Sequence, residues 1–174
     1  MIKYRVPYNY LPLEFRPSNT NKIIKSWKGL IAKTDFTLGE YVAKFELDFA
    51  KFIGAKYCIS TNNGTDALIL SLKSLGIKAG DEVITVCNTF YATVGSIVAC
   101  GAKPIFVDCD NRYQIDSSKI EAKITKKTKA IIPVHLTGYT PNMSKLMSLS
   151  RKYKIPVIED ACQGILSSYN KKNS

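Results

Sequence analysis

The chain has 174 residues, of which 45% are apolar and 22% charged, the composition of a soluble globular protein. That length allows one domain with a packed core, because domains take roughly 100–200 residues. No run approaches the ~20 apolar residues of a membrane-spanning helix, and the first residues lack the apolar core of a signal peptide. The sequence therefore predicts a cytoplasmic protein with no membrane partner.

The net charge of +11 raises the question of nucleic-acid binding. Of the 25 basic residues 21 are lysines, and they are spread over the whole chain. Surfaces that read bases or clamp phosphates favour arginine, which is scarce here. We interpret the charge as a solvated lysine-rich surface and expect no nucleic-acid partner.

The cysteine and histidine patterns argue against a metal site. The five cysteines are an odd number, widely spaced, and form no C-x-x-C pair. A disulfide framework or a structural zinc site needs paired or closely spaced ligands. His135 is the only histidine, so we expect no metal within this chain.

The first 53 residues predict an extended arm followed by two helices. Residues 1–17 hold three of the seven prolines and have no clear period, which is typical of an extended segment. Residues 19–27 are expected to form a short helix. Residues 37–53 carry an apolar stripe at helical spacing, which predicts a longer helix that ends at Gly54.

From residue 55 onward, short apolar runs alternate with helical segments. The apolar runs predict strands at 57–60, 82–86, 104–107, 130–134 and 157–158. The helical segments cover 65–75, 91–100, 118–124 and 142–153, and Gly76 and Gly101 stand where helices commonly end. This alternation predicts an α/β fold with three layers, α/β/α, built on a mainly parallel sheet.

Ligands of such sheets bind beyond the carboxyl ends of the strands. Residues 59–68 join one of these ends to a helix, with Gly64 and Thr65 at the turn. Unpaired N–H groups and the helix dipole favour a phosphate there, while an ordinary turn capped by Asn63 or Thr65 is the alternative. The turn lacks both the Rossmann G-x-G-x-x-G pattern and the P-loop lysine, so a different class of phosphate-bearing cofactor is indicated.

Two further residues at strand ends indicate the ligand. Phe90 opens a helix after a predicted strand, where its ring can stack on a flat heteroaromatic ring. Asp160 follows a buried strand, where an ionised carboxylate needs a cationic partner such as a protonated pyridine. Phosphate, flat ring and pyridinium together describe pyridoxal phosphate (pyridoxal 5'-phosphate), which is the cofactor that this pattern predicts.

At these residues the sequence resembles the DegT-type nucleotide-sugar aminotransferases, which are pyridoxal phosphate enzymes of fold type I. The resemblance covers about residues 35–169, with blocks in family order at 36–39, 63–68, 80–85, 89–93, 129–135 and 159–163. It implies an incomplete aspartate-aminotransferase-like large domain in residues 35–174. An N-terminal arm and short helix would occupy residues 1–34.

The resemblance also implies roles for single residues. Gly64 and Thr65 would hold the cofactor phosphate, and Phe90 would stack on the ring. Asp160 would pair with the pyridine nitrogen, and Gln163 would lie near the ring hydroxyl. For His135, a structural role is the commoner one for a histidine at a strand end, and we assign it no catalytic part.

The family's Schiff-base lysine follows a Ser-Phe-x-x-x-Lys segment, and nothing in this chain matches that pattern. Family comparison implies that this lysine, the rest of the large domain and the C-terminal small domain lie beyond Ser174. We therefore expect an N-terminal fragment that has no catalytic lysine and is inactive alone. We also expect it to aggregate, because a truncated sheet exposes its strand edges.

The resemblance implies transfer of an amino group from an amino acid, usually glutamate, to a nucleotide-linked keto-sugar. It also implies a homodimer whose active site draws on both subunits, with residues 36–39 facing the partner's site. The alternative is a non-catalytic sensor or regulator on the same fold, since some relatives of this fold lack the lysine.

Overall fold

The computed structural model describes residues 11–170 and 172–173. The chain divides into two compact units at the boundary between Phe49 and Ala50. Residues 1–10 of the predicted arm lie outside the described residues. The predicted domain boundary at residue 35 stays a prediction.

Three helices begin the described chain: α1 (Leu11–Glu14), α2 (Pro17–Lys33) and α3 (Glu40–Ile53). The prediction of an extended segment is wrong for residues 11–14, which form α1, and for Pro17, which occupies the first turn of α2; Arg16 between them is extended. Proline is favourable at that position, since its missing N–H would have no helical partner. α2 runs past its predicted end at residue 27, and α3 confirms the longer predicted helix. None of the helices among the described residues is long and apolar enough to cross a membrane.

A parallel sheet forms the centre of the second unit. Its strands are β1 (Glu82–Val86), β2 (Lys103–Val107) and β3 (Thr128–Ile132), arranged in the order β2-β1-β3 with both pairs parallel. Residues 157–160 continue the sheet beside β3 through parallel bridges, although they are too irregular to count as a regular strand. A short antiparallel pair, β4 (Ser168–Tyr169) and β5 (Lys172–Asn173), lies further along the chain. The predicted parallel sheet is confirmed.

Three helices of the second unit follow the predicted segments to within one residue at each end: α4 (Gly64–Ser74), α5 (Tyr91–Ala99) and α6 (Met143–Tyr153). Gly76 and Gly101 follow α4 and α5 with φ of 73° and 76°. Glycine adopts this left-handed conformation without steric cost, so both glycines end their helices as predicted.

Two predicted elements are wrong. Residues 57–60 form no strand, because no other strand among the described residues lies beside them to accept their hydrogen bonds. Residues 118–124 form only a short 3-10 turn at Glu121–Lys123. Just before that turn, the carboxylate of Asp116 accepts hydrogen bonds from both the N–H and the hydroxyl of Ser118. Such local side-chain bonds compete with helix formation.

The core consists of two apolar clusters, one on each face of the sheet. In β1, Val83 belongs to the cluster that contains Leu72 of α4, whereas the next residue, Ile84, belongs to the cluster that contains Leu146 of α6. Neighbouring residues of a strand point to opposite faces, so the sheet is covered on both sides. This is the three-layer arrangement expected from the sequence.

Leu72 and Leu70 provide a matched test of this packing within one helix. Leu72 is fully buried and Leu70 is 55% exposed. We expect Leu72→Ala to lower the free energy of unfolding by about 2–5 kcal/mol, because it leaves a cavity beneath α4. Leu70→Ala is expected to change it by less than about 0.5 kcal/mol. Urea unfolding of both variants measures the difference, and equal losses would contradict the layer assignment.

Candidate functional site

The N-terminus of α4 leaves two backbone N–H groups available to a ligand. Asn63 caps the helix, since its Oδ1 accepts the N–H of Asp66 at 2.9 Å. The N–H groups of Gly64 and Thr65, which begin the helix, donate to no acceptor in the part of the chain that the structure describes. They lie at the positive end of the helix dipole, where an anion is stabilised. Of the two predicted capping residues, the structure therefore selects Asn63.

Gly64 lets the first turn of α4 approach the loop that follows Asp160. A Cβ atom at Gly64 would lie 3.1 Å from Sγ of Cys162, tighter than an ordinary van der Waals contact. The N–H of Cys162 in turn points to Oδ1 of Asp160 over 3.4 Å. The turn at Gly64 and the carboxylate are therefore separated by a single residue, Cys162.

Asp160 is a buried acid whose backbone N–H and C=O groups are both hydrogen-bonded. Its N–H donates to the carbonyl of Pro133 and its carbonyl accepts the N–H of His135, both over 3.0 Å. Its side chain is only 8% exposed, and Oδ2 accepts a 2.9 Å hydrogen bond from the hydroxyl of Thr93 in α5. Among the described residues, no basic side chain forms an ion pair with this carboxylate. A buried carboxylate without a cation is costly, so the site is suited to a cationic ligand group.

Phe90 lies immediately before α5, at the same edge of the sheet. Its ring is 62% exposed and touches the ring of Tyr91, with centroids 4.3 Å apart and planes at 49°. Core packing therefore does not account for Phe90. The hydrogen bonds from Thr89 to Thr93 and from Thr93 to Asp160 place the turn at Phe90 beside this carboxylate, and the close approach of Gly64 to Cys162 brings the turn at Gly64 to the same edge.

Gln163 is tied to a neighbouring loop. Its Oε1 accepts the N–H of Thr137 over 2.7 Å, and Thr137 adopts a left-handed conformation with φ of 57°. Oε1 therefore already accepts a hydrogen bond from the protein itself. The amide nitrogen of Gln163 donates to no acceptor among residues 11–170, so it can donate to a ligand oxygen.

His135 is enclosed and makes no contribution to an open site. Its side chain is fully buried, with Nδ1 3.5 Å from the hydroxyl of Ser167. Nε2 lies 3.1 Å from a carboxylate oxygen of Glu159, but at an angle that does not make a hydrogen bond. A Cβ at Gly164 would come within 2.8 Å of Cβ of His135, so this glycine admits the ring. These contacts agree with a structural role for the histidine.

The sequence did not identify Thr93 or Thr89, whose hydroxyl oxygens lie 2.9 Å apart. Thr93 bonds to Asp160 across 67 positions of sequence, a contact that no local pattern reveals. Helical spacing does not relate the two threonines either, because Thr89 precedes the helix in which Thr93 lies.

The thiol of Cys162 provides a test of this geometry. Partial burial of this thiol, together with the adjacent carboxylate of Asp160, raises its pKa to about 11. A raised thiol pKa keeps the sulfur protonated near neutral pH, and only the thiolate reacts with alkylating reagents. The alkylation rate of Cys162 is therefore expected to rise about tenfold per pH unit up to about pH 11.

The measurement is peptide mass spectrometry after brief iodoacetamide treatment at a series of pH values. A free cysteine peptide in the same tube is the reference, since its rate levels off once the pH passes its pKa of ~8.5. If the alkylation rate of Cys162 levelled off at the same pH as that of the free peptide, this would contradict the partial burial of the thiol beside Asp160.

Comparison with known proteins identifies the family. The sequence pattern of the DegT/DnrJ/EryC1/StrS aminotransferase family matches residues 17–174. The UDP-2-acetamido-2-deoxy-3-oxo-D-glucuronate aminotransferase of Pseudomonas aeruginosa is 44% identical over 155 residues, which make up 88% of this chain and 43% of that protein. A pleiotropic regulatory protein of Geobacillus stearothermophilus is 44% identical over 152 residues, 87% of this chain and 41% of that protein.

The fold agrees with this assignment. The crystal structure of NtdA from Bacillus subtilis with bound cofactor PMP superposes with a TM-score of 0.88 at 37% identity, over 95% of this chain and 38% of that one. The chain thus spans about two fifths of the length of these relatives. The family match includes the region expected from the sequence and starts earlier, at residue 17. The chain belongs to the DegT/DnrJ/EryC1/StrS aminotransferase family.

Proposed function

We propose that this chain forms the cofactor-binding part of a pyridoxal phosphate-dependent aminotransferase that acts on a nucleotide-linked keto-sugar. The observation that carries the proposal is the buried carboxylate of Asp160, which has no cationic partner among the described residues. It lies beside the open helix N-terminus at Gly64, an anion site. The two features prefer opposite charges, and pyridoxal phosphate carries both a phosphate and a ring nitrogen that can be protonated.

Each chemical group of the cofactor has a suitable residue at this edge of the sheet. The N–H groups of Gly64 and Thr65 would bind the phosphate, and the exposed ring of Phe90 would cover one face of the pyridine. Oδ1 of Asp160, which accepts only a 3.4 Å bond from Cys162, would bind the ring N–H. Gln163 would donate to the ring hydroxyl from its free amide nitrogen. When bound, pyridoxal phosphate supplies an electron sink for the carbon that carries the amino group.

The substrate proposal rests on the relatives. A nucleotide-sugar aminotransferase is 44% identical to this chain, which supports a nucleotide-linked keto-sugar as amino acceptor. We propose glutamate as amino donor, as in the family that the sequence resembles. We further propose that the Schiff-base lysine comes from sequence outside these 174 residues, because nothing within them matches its segment. A homodimer with residues 36–39 at the partner's site belongs to the same proposal.

One relative favours a second function. The regulatory protein of Geobacillus stearothermophilus is as similar to this chain as the sugar aminotransferase. A lysine-less regulator would bind the cofactor and the sugar without turning them over. The two proposals differ in whether glutamate changes the bound cofactor.

Asp160→Asn tests the proposal in the full-length protein. Asparagine keeps the shape of the side chain but removes the charge that holds a protonated ring nitrogen. Breaking a buried charge pair costs about 3–5 kcal/mol, so we expect the glutamate half-reaction to slow by about two hundred- to five-thousandfold. The reaction is followed by the visible absorbance of protein-bound pyridoxal phosphate after glutamate is added.

Asp48→Asn is the matched control, because Asp48 lies on the surface of α3, where its carboxylate pairs with Lys44. We expect this variant to react as the wild type does. A wild-type protein that remains colourless with pyridoxal phosphate would reject the cofactor assignment. A coloured protein that ignores glutamate would favour the regulator.

A further inference from the structure

Two threonine hydroxyls form a row that ends on Oδ2 of Asp160, whereas the N–H of Cys162 contacts Oδ1. Thr93 in the first turn of α5 is 1% exposed, and its Oγ1 is 2.9 Å from Oδ2 of Asp160. Oγ1 of Thr89, which precedes the helix, is 2.9 Å from Oγ1 of Thr93. The three side chains form one continuous row of hydrogen bonds.

The row has a single direction. An ionised carboxylate can only accept hydrogen bonds, and each hydroxyl has one hydrogen to donate. The hydrogen of Thr93 therefore goes to Asp160, so the bond between the threonines is donated by Thr89. The hydroxyl of Thr89 donates to Oγ1 of Thr93. This bond directs the hydrogen of Thr93 toward the carboxylate of Asp160.

A purely structural role does not account for the hydroxyl of Thr93. Ser96, on the next turn of α5, is also fully buried and donates to the carbonyl of Thr93 in its own helix over 2.8 Å. That is the ordinary way for a buried helical hydroxyl to be satisfied. Thr93 instead reaches another segment of the chain. Valine would fill the same volume there without a polar group to satisfy.

We propose that Thr93, oriented by Thr89, is a positioning residue that holds the carboxylate of Asp160 in place and directs Oδ1 toward the ring nitrogen of the cofactor. This inference rests on the proposed function. A carboxylate held in this orientation stabilises a positive charge on the ring nitrogen and so favours the protonated ring. Because Oδ2 is occupied, Oδ1 is the oxygen left for the ring. Thr89 immediately precedes Phe90, so the same row fixes the turn of the stacking residue relative to Asp160.

The test uses the full-length protein and pyridoxamine phosphate labelled with ¹⁵N in the ring, whose chemical shift separates a protonated from a neutral nitrogen. The wild type is expected to give a pyridinium shift. In Thr93→Val the shift is expected to move toward neutral pyridine, and Kd is expected to rise about ten- to a hundredfold, the effect of losing a hydrogen bond to a charged group.

A variant that keeps the hydroxyl distinguishes the positioning role of Thr93 from a packing role. Thr93→Ser keeps the hydroxyl and is expected to retain the pyridinium shift, with Kd within about threefold of the wild type. Thr89→Val removes only the orienting bond and is expected to give an intermediate shift. Ser96→Ala removes a buried hydroxyl of the same helix and is expected to leave both shift and Kd unchanged.

The outcomes distinguish this inference from the function on which it rests. A wild type that does not bind the probe rejects the cofactor assignment itself. A wild type that binds with a pyridinium shift, together with a Thr93→Val variant of the same shift and Kd, rejects the role of Thr93 alone. If Thr93→Val does not fold, Thr89→Val decides, since an unchanged shift in that variant would equally reject the proposal.

Discussion

The position of Asp160 depends on two backbone hydrogen bonds to the segment that continues β3. They join its N–H to Pro133 and its carbonyl to His135, each over 3.0 Å. These two bonds fix the backbone of Asp160 at the strand end, and the hydrogen bond from Thr93 to Oδ2 holds its buried carboxylate. The enclosed ring of His135, admitted by Gly164, keeps the flanking segment in place. The other features of the site are arranged around this fixed charge.

The site joins two opposite electrostatic preferences within one small region. Asp160 attracts a cation, while the first turn of α4 attracts an anion through its free N–H groups and the helix dipole. Cys162 lies between the two, and its thiol stays protonated near neutral pH because partial burial and the carboxylate of Asp160 raise its pKa. A ligand that carries a phosphate at one end and a protonated nitrogen at the other satisfies both. Simple anions and simple cations would satisfy only half of the site.

Local patterns in the sequence were sufficient for most of the fold. Alternating apolar runs and helical periods predicted the parallel sheet, and glycines at 76 and 101 marked two helix ends correctly. The helix predicted at 118–124 failed because Asp116 and Ser118 bond locally, and the strand predicted at 57–60 lacks a neighbouring strand. Asp160 was visible as an acid after a buried strand. Thr93 was not, because its function depends on a contact between residues far apart in sequence.

A crystal structure of the full-length protein with pyridoxamine phosphate tests the central claim most directly. The account predicts the phosphate on the N–H groups of Gly64 and Thr65. It also predicts the ring nitrogen within hydrogen-bond distance of Oδ1 of Asp160, and Oδ2 still bonded to Thr93. A phosphate bound elsewhere, or a ring nitrogen that faces a group other than Asp160, would contradict it.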